Sequence, residues 1–134
     1  MKKIVLISCA SQKQPYRSKV KDLYISALFK KNLAYARKLK PDAIYILSAK
    51  YGLLDLETVI DPYNQTLNTM SATENQGWAE KVLQQLASVA DLKQDHFIFL
   101  AGKNYRKNLL PHLSSYEIPM EGLNLFEQMH ALSK

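Results

Sequence analysis

Apolar positions along the chain fall alternately into short runs and spaced stripes. Lys3–Ser8 (KIVLIS) is a β-branched run that reads as a strand buried on both faces. Cys9–Lys21 has no periodicity and reads as a loop. From Asp22, a candidate N-cap, Ile25, Leu28, Phe29, Asn32, Ala36 and Leu39 recur at helical spacing with lysines opposite. Pro41 ends that helix near Leu39. Ala43–Ser48 (AIYILS) predicts a second buried strand, and Ala49–Asp55 the turn that leaves it. Leu56–Thr69 is polar, irregular and longer than most connections. Ser71 and Glu74 have capping-box spacing, and Trp78, Ala79, Val82, Leu83, Leu86 and Val89 form a helical stripe to about Ala90. His96–Ala101 predicts a third strand, Tyr105–Leu113 a short helix, Tyr116–Pro119 a fourth strand and Leu123–Leu132 a last helix.

The resulting order, β-α-β-loop-α-β-α-β-α, predicts one α/β domain over residues 1–134. Its expected architecture is a three-layer α/β/α sandwich with a short, mostly parallel four-stranded sheet. Ligands bind such sheets outside the carboxyl ends of the strands, at a switch point in strand order. That rule selects Ser8–Lys13, Ser48–Asp55 and Ala101–Arg106 as candidate site segments. In the first, Ser8, Cys9 and Ser11 bring small polar groups and Lys13 a positive charge. It has neither the glycines nor the Gly-Lys-Ser/Thr of a phosphate-binding P-loop. The second gathers Ser48, Lys50, Tyr51, Gly52 and Asp55, a set suited to orienting a ligand or to acid–base work. Its competing reading is a tight turn with Lys50 and Asp55 exposed. In the long loop, Asp61 is a candidate general base, Tyr63 a candidate stacking surface and Thr66 a polar contact. Gly102 and Tyr105, with Lys103, Arg106 and Lys107 nearby, mark a turn suited to an anion.

Charge refines this picture. The net charge is +6. Residues 1–50 hold 12 Lys/Arg against Asp22 and Asp42, and the remaining residues hold 6 against 10 acidic side chains. Such asymmetry favours an anionic partner near the N-terminal half. Lysine outnumbers arginine there, which argues against base-specific DNA readout. Cys9 is the only cysteine, and His96, His112 and His130 have neither metal-ligand spacing nor a place beside it, so no metal and no cofactor are expected. No apolar run approaches the roughly 20 residues of a membrane span. A lone cysteine and no secretion signal predict a reducing, cytoplasmic setting.

The segments ISCASQK, DLYISALFKK, YILSAKYGLLD, IDPYNQT and AGKNYRKNL, in this order, resemble an uncharacterised bacterial and archaeal domain family. That family shows S-C-S-K-K, D-L-Y-x-S-x-L-F, L-S-A-K-x-G-L-L and P-Y-x-x-T-L motifs. Ala10 and Gln12 depart from its first loop, and Glu121-Gly122-Leu123-Asn124 only partly matches its glycine-rich C-terminal pattern. The loop residues Cys9, Ser11, Lys13, Pro15 and Tyr16 are also distantly similar to a C-S-x-x-K-P-Y segment of archaeosine-synthase-type enzymes, which act on 7-deazaguanine bases in tRNA. That similarity implies a uracil-DNA glycosylase-like or Rossmann-like fold and a small anionic or nucleobase-type ligand, with nucleic acid as a further candidate partner. A plain interaction domain, with Trp78, Tyr35 or Phe126 in a large exposed apolar patch, stays open at this point beside two readings of the site. One is an enzyme acting on a nucleobase, nucleotide or nucleic acid. In it Ser8, Cys9, Ser11 and Lys13 form one wall, Ser48, Lys50, Tyr51 and Asp55 the facing wall, and Asp61 and Tyr63 close the site. Lys13 holds an anion, and Asp55 or Asp61 moves the proton. The other is a non-catalytic nucleotide- or nucleic-acid-binding regulatory module.

Overall fold

The structure, a computed structural model, describes residues 1–133. Its elements in chain order are β1 (Lys3–Ser8), β2 (Ser18–Lys19), α1 (Val20–Leu23), α2 (Ala27–Lys38), β3 (Ala43–Ser48), β4 (Gly52–Asp55), β5 (Val59–Ile60), α3 (Ala72–Ala87), β6 (His96–Leu100), β7 (Tyr116–Glu117) and α4 (Leu125–Leu132). The fold is mixed α/β around a mostly parallel sheet of order β4-β3-β1-β6-β7. β1 is central, parallel to β3 on one side and to β6 on the other. Ile4, Val5, Leu6 and Ile7 are fully buried, as a strand with partners on both edges requires. Each such side chain contributes about 1.5–3 kcal/mol by leaving water.

Four expectations change. The sheet has five strands, because Gly52–Leu54 does not leave as a loop. It folds back antiparallel on β3, with Ser48 opposite Gly52 and Tyr45 opposite Asp55. Gly52 permits this tight hairpin through a φ of +79°, a left-handed value that side chains with a Cβ resist. The helix expected from Asp22 is split. Tyr24 adopts extended geometry and bridges to Lys13, Asp22 falls inside the single turn of α1, and α2 starts only after Ser26, whose hydroxyl accepts from Phe29 N–H. The two long loops are partly ordered as a ribbon of β2 against β5. The helix expected at Tyr105–Leu113 is two separate 3₁₀ turns, Lys103–Tyr105 and Leu110–His112, with Pro111 in the second. By contrast, α3 begins with both halves of the Ser71–Glu74 capping box in place.

Two clamps hold the sheet. Gln85 of α3 accepts from Leu53 N–H at 2.8 Å and donates to Tyr51 C=O at 3.3 Å, fastening the β3–β4 hairpin. Asp95, buried before β6, accepts from Lys2 N–H at 2.7 Å and from Asp91 N–H at 2.8 Å, tying the start of β1 to the turn after α3. The Asp91 and Lys2 amides hold the Asp95 carboxyl below the ordinary carboxylate value.

Gly52→Ala is expected to destabilise more than Gly122→Ala. Both residues have positive φ, so each change costs about 1–2 kcal/mol in backbone strain. A Cβ on Gly52 would additionally displace Gln85 Oε1, whereas one on Gly122 meets nothing within 4 Å. Leaving the Gln85 partners unmade adds about 1–3 kcal/mol. Urea unfolding of the two variants measures the difference, and equal losses would refute the clamp. Because the folded-state pKa of Asp95 is depressed, its stabilisation is present at neutral pH and is lost as pH falls below the ordinary carboxylate range. Asp95→Asn should therefore flatten the acid limb of a stability–pH profile.

Candidate functional site

From β1 the chain crosses first to β3 on one side, and later passes to β6 on the other. The connections thus diverge between β1 and β6, and such a reversal leaves a crevice at the strands' carboxyl ends. A cleft of about 520 Å³ lies there. Ser8, Cys9, Ala10, Ser11 and Lys13 form its β1 side, and Ala101, Gly102 and Tyr105 its β6 side. Leu28 and Asn32 of α2, the stretch Asn64–Thr66, Asn68, and the C-terminal residues Ile118, Met120 and Gln128 complete it.

The β1 loop supplies the reactive groups. Lys13 is half-buried, its Nζ 4.4 Å from the Tyr63 ring centre and 5.7 Å from that of Tyr24. Burial lowers its pKa, and the neighbouring Cys9 acts on it in the opposite direction. The Cys9 thiol donates to Tyr105 Oη at 3.5 Å. Tyr105 Oη also accepts from Leu67 N–H at 3.3 Å and lies 3.5 Å from Thr66 Oγ1, so one phenol joins the β1 loop, the β6 turn and the long loop. Burial, then the Cys9 charge, push the Tyr105 phenol up to about 12.

Behind the cleft runs a buried chain of hydroxyls. Ser48 Oγ donates to Tyr63 Oη at 2.8 Å, and Tyr63 Oη shares a 2.6 Å hydrogen bond with Tyr24 Oη. Ser48 Oγ also accepts from Tyr51 N–H, and Ser48 C=O from Trp78 Nε1 at 2.8 Å. Burial pushes the Tyr24 and Tyr63 phenols far above the ordinary tyrosine value, so both keep their protons.

Of the residues singled out from sequence, the structure brings Ser8, Cys9, Ser11, Lys13, Thr66, Gly102 and Tyr105 together around the cleft. It does not bring Ser48, Lys50, Tyr51, Gly52, Asp55, Asp61 or Tyr63 into its lining. The expected facing wall is displaced in part because β4 carries Gly52 and Asp55 to the far side of β3 from β1. Ser48 and Tyr63 become buried supports. Asp55 Oδ1 accepts from Glu57 N–H, Thr58 N–H and Thr58 Oγ1, which stabilises the turn into β5. Asp61 pairs with Arg17 at 3.3 Å, both side chains more than half exposed, a contact of about 0–1 kcal/mol. Lys50 is exposed with its Nζ 5.2 Å from the Tyr51 ring. Pro15 and Tyr16 of the first-loop resemblance are exposed and outside the cleft. His96 opens β6, at the opposite end of that strand from the cleft, and contacts Ser115 and Glu117.

Comparison with known families matches residues 4–134 of this chain to one of them, described as a family of unknown function (DUF6884). The chain belongs to that family. No curated protein and no solved structure matches it. Among the described residues of this DUF6884 chain, no group of three or more His, Cys, Asp or Glu side chains is placed to hold a metal ion. No helix is long and apolar enough to cross a membrane.

The structure also adds residues to the site of this DUF6884 protein. Asn32 is only 6 % exposed and lines the cleft, and its side chain has no hydrogen-bond partner among the described residues. None of its polar atoms is sealed off without a partner, so its amide reaches the cleft itself. Its signal was an amide on an otherwise apolar helical stripe. A second asparagine on an inward face, Asn75, donates to Asn104 C=O at 2.9 Å and accepts from Asn108 Nδ2 at 2.8 Å. Asn104 Nδ2 then donates to Asn68 Oδ1 at 2.9 Å, so this network fixes the cleft rim. Ile118, Met120 and Gln128 carry no sequence signal, because they reach the cleft only through tertiary packing: the first two in the segment after β7, the third on α4, which packs beside α2.

Tyr63→Phe leaves Ser48 Oγ and Tyr24 Oη short of a buried partner. It should cost about 1–3 kcal/mol in urea unfolding while keeping the ring that faces Lys13. A loss no larger than that of an exposed control such as Tyr16→Phe would contradict the supporting role.

Proposed function

We propose that the β1/β6 cleft binds a small nucleobase-type or nucleotide ligand that carries an anionic group, and that the protein acts on it as an enzyme. The single observation that carries this reading is Asn32, a buried amide facing the cleft without a protein partner. Because no protein group occupies that amide, a ligand entering the cleft can hydrogen-bond to it without displacing a protein partner. An amide presents a donor and an acceptor side by side, the pairing that base edges offer. Lys13 is the only charged side chain in the lining among the described residues, and no carboxylate opposes it. Lys13 then holds the anionic group, while Ser8, Ser11 and Thr66 offer hydroxyls. Tyr105 and Lys13, both shifted from their ordinary titration, favour an enzyme over a passive module, since perturbed groups gather at catalytic sites. Asp55 and Asp61 take no part in this reading.

The same reading takes the fold as a three-layer α/β/α sandwich of the uracil-DNA glycosylase-like or Rossmann-like kind, supported by the parallel order β3-β1-β6-β7. It takes the setting as cytoplasmic, supported by a free thiol lining the cleft. The alternative, a non-catalytic nucleotide- or nucleic-acid-binding regulatory module, is favoured by the lack of any carboxylate in the lining to serve as a general base.

Calorimetry with a panel of nucleobases, nucleotides and short single-stranded oligonucleotides, at two salt concentrations, tests both. A pocket ligand should bind with weak salt dependence, whereas a polyanion on an open surface shows a steep one. Asn32→Leu should weaken binding by about 1–3 kcal/mol, and Lys13→Gln should weaken nucleotides more than uncharged bases. Binding that ignores both substitutions, or none across the panel, would sink the reading.

A further inference from the structure

Lys13 is a half-buried cation with no counter-charge among the described residues. Among the described residues it makes no ion pair, although Arg17, Lys19 and Lys21 in the same half of the chain each have a carboxylate partner. Two aromatic faces, Tyr63 at 4.4 Å and Tyr24 at 5.7 Å, hold its Nζ in position without taking its charge. The Lys13↔Tyr24 bridge fixes the backbone on which it stands. Cys9 lines the same cleft, its thiol donating to Tyr105 Oη. The unpartnered Asn32 amide independently marks that cleft as built for a polar ligand.

A lysine ammonium that is partly desolvated and unpaired gives up its proton more readily than a surface one, and amines so placed serve as nucleophiles toward carbonyl carbon. Burial acts on Lys13 in that direction. We propose that Lys13 is an amine nucleophile that forms an imine with an aldehyde- or ketone-bearing small molecule held in the cleft. Solvent water takes the ammonium proton. The nitrogen lone pair then forms a bond to the carbonyl carbon while the C–O π pair moves to oxygen, which receives that proton back. The carbinolamine loses its hydroxyl with a further proton as water. The balance is one ammonium and one carbonyl giving one protonated imine and one water, with no oxidant or reductant. This goes beyond the nucleobase reading, because it needs the cleft but not that ligand.

The test uses the full chain with glyoxylate as the carbonyl probe and sodium cyanoborohydride to reduce any imine, followed by peptide mass mapping. At limiting probe, the reduced adduct is expected on Lys13 in several-fold excess over Lys50, an exposed lysine that also lies over a tyrosine ring. That excess should vanish in urea, and Lys13→Arg should lose the adduct while its circular dichroism is unchanged. Labelling of Lys13 no faster than Lys50 in the folded protein, or an excess that survives in urea, overturns the proposal and leaves Lys13 as a fixed counter-charge. A panel with no nucleobase binding leaves the glyoxylate result standing, so the two readings fail separately.

Discussion

The hydroxyl chain from Ser48 through Tyr63 to Tyr24 is the constraint on which the rest of this site depends. It joins three segments that are distant in sequence: the β3 end, the long loop and the turn between α1 and α2. Net, a hydrogen bond contributes only about 0.5–1.5 kcal/mol, but an unmade one in a buried place costs more. The chain therefore acts by exclusion, since arrangements that break it leave polar groups stranded. Once Tyr24 is held, its bridge to Lys13 sets where the β1 loop goes, and its ring sets where the Lys13 amine stands. Tyr105 does on the β6 side what Tyr63 does on the β3 side, tying the β1 and long loops to the strand beside them.

Electrostatics divides along the same line. Three of the twelve cations of the N-terminal half are paired with acids from later in the chain, Lys19 and Lys21 with Glu57 and Arg17 with Asp61. These contacts brace the β2–β5 ribbon. What remains inside the cleft is one cation among amides, hydroxyls and a thiol. A site of this kind suits a small polar ligand more than a long polyanion, whose binding needs several cations in a row.

Lys3–Ser8, Ala43–Ser48 and His96–Leu100 were legible as strands because each is an apolar run with turn residues after it, and the Ser71–Glu74 cap was legible because its spacing is local chemistry. The hairpin at Gly52 was not, since an exit turn and a return strand differ only in whether β3 has a free edge to receive it. The split before α2 was hidden for a similar reason. Leu23 to Leu39 has helical spacing, but Tyr24 gains more from its buried hydroxyl partner and its bridge to Lys13 than from another helical turn. The rule that ligands lie beyond strand ends selects Ser8–Lys13, Ser48–Asp55 and Ala101–Arg106, and the first and third contribute residues to the cleft lining. Ser48–Asp55 lies outside that lining, because it stands at the β3 side of β1 and the cleft at the β6 side.

What the sequence determined by itself is the local material: an α/β alternation, three buried parallel strands, and a polar loop with Cys9 and Lys13 after the first. It also placed Asn32 on an apolar stripe, where an amide has no reason to be unless something meets it. What only the tertiary structure decided is which strand ends face each other. Periodicity records whether a strand is buried but not which strand lies beside it. The order β3-β1-β6 opens the crevice between β1 and β6, and so turns Ser48 and Tyr63 into supports and Asn32, Thr66 and Tyr105 into the walls.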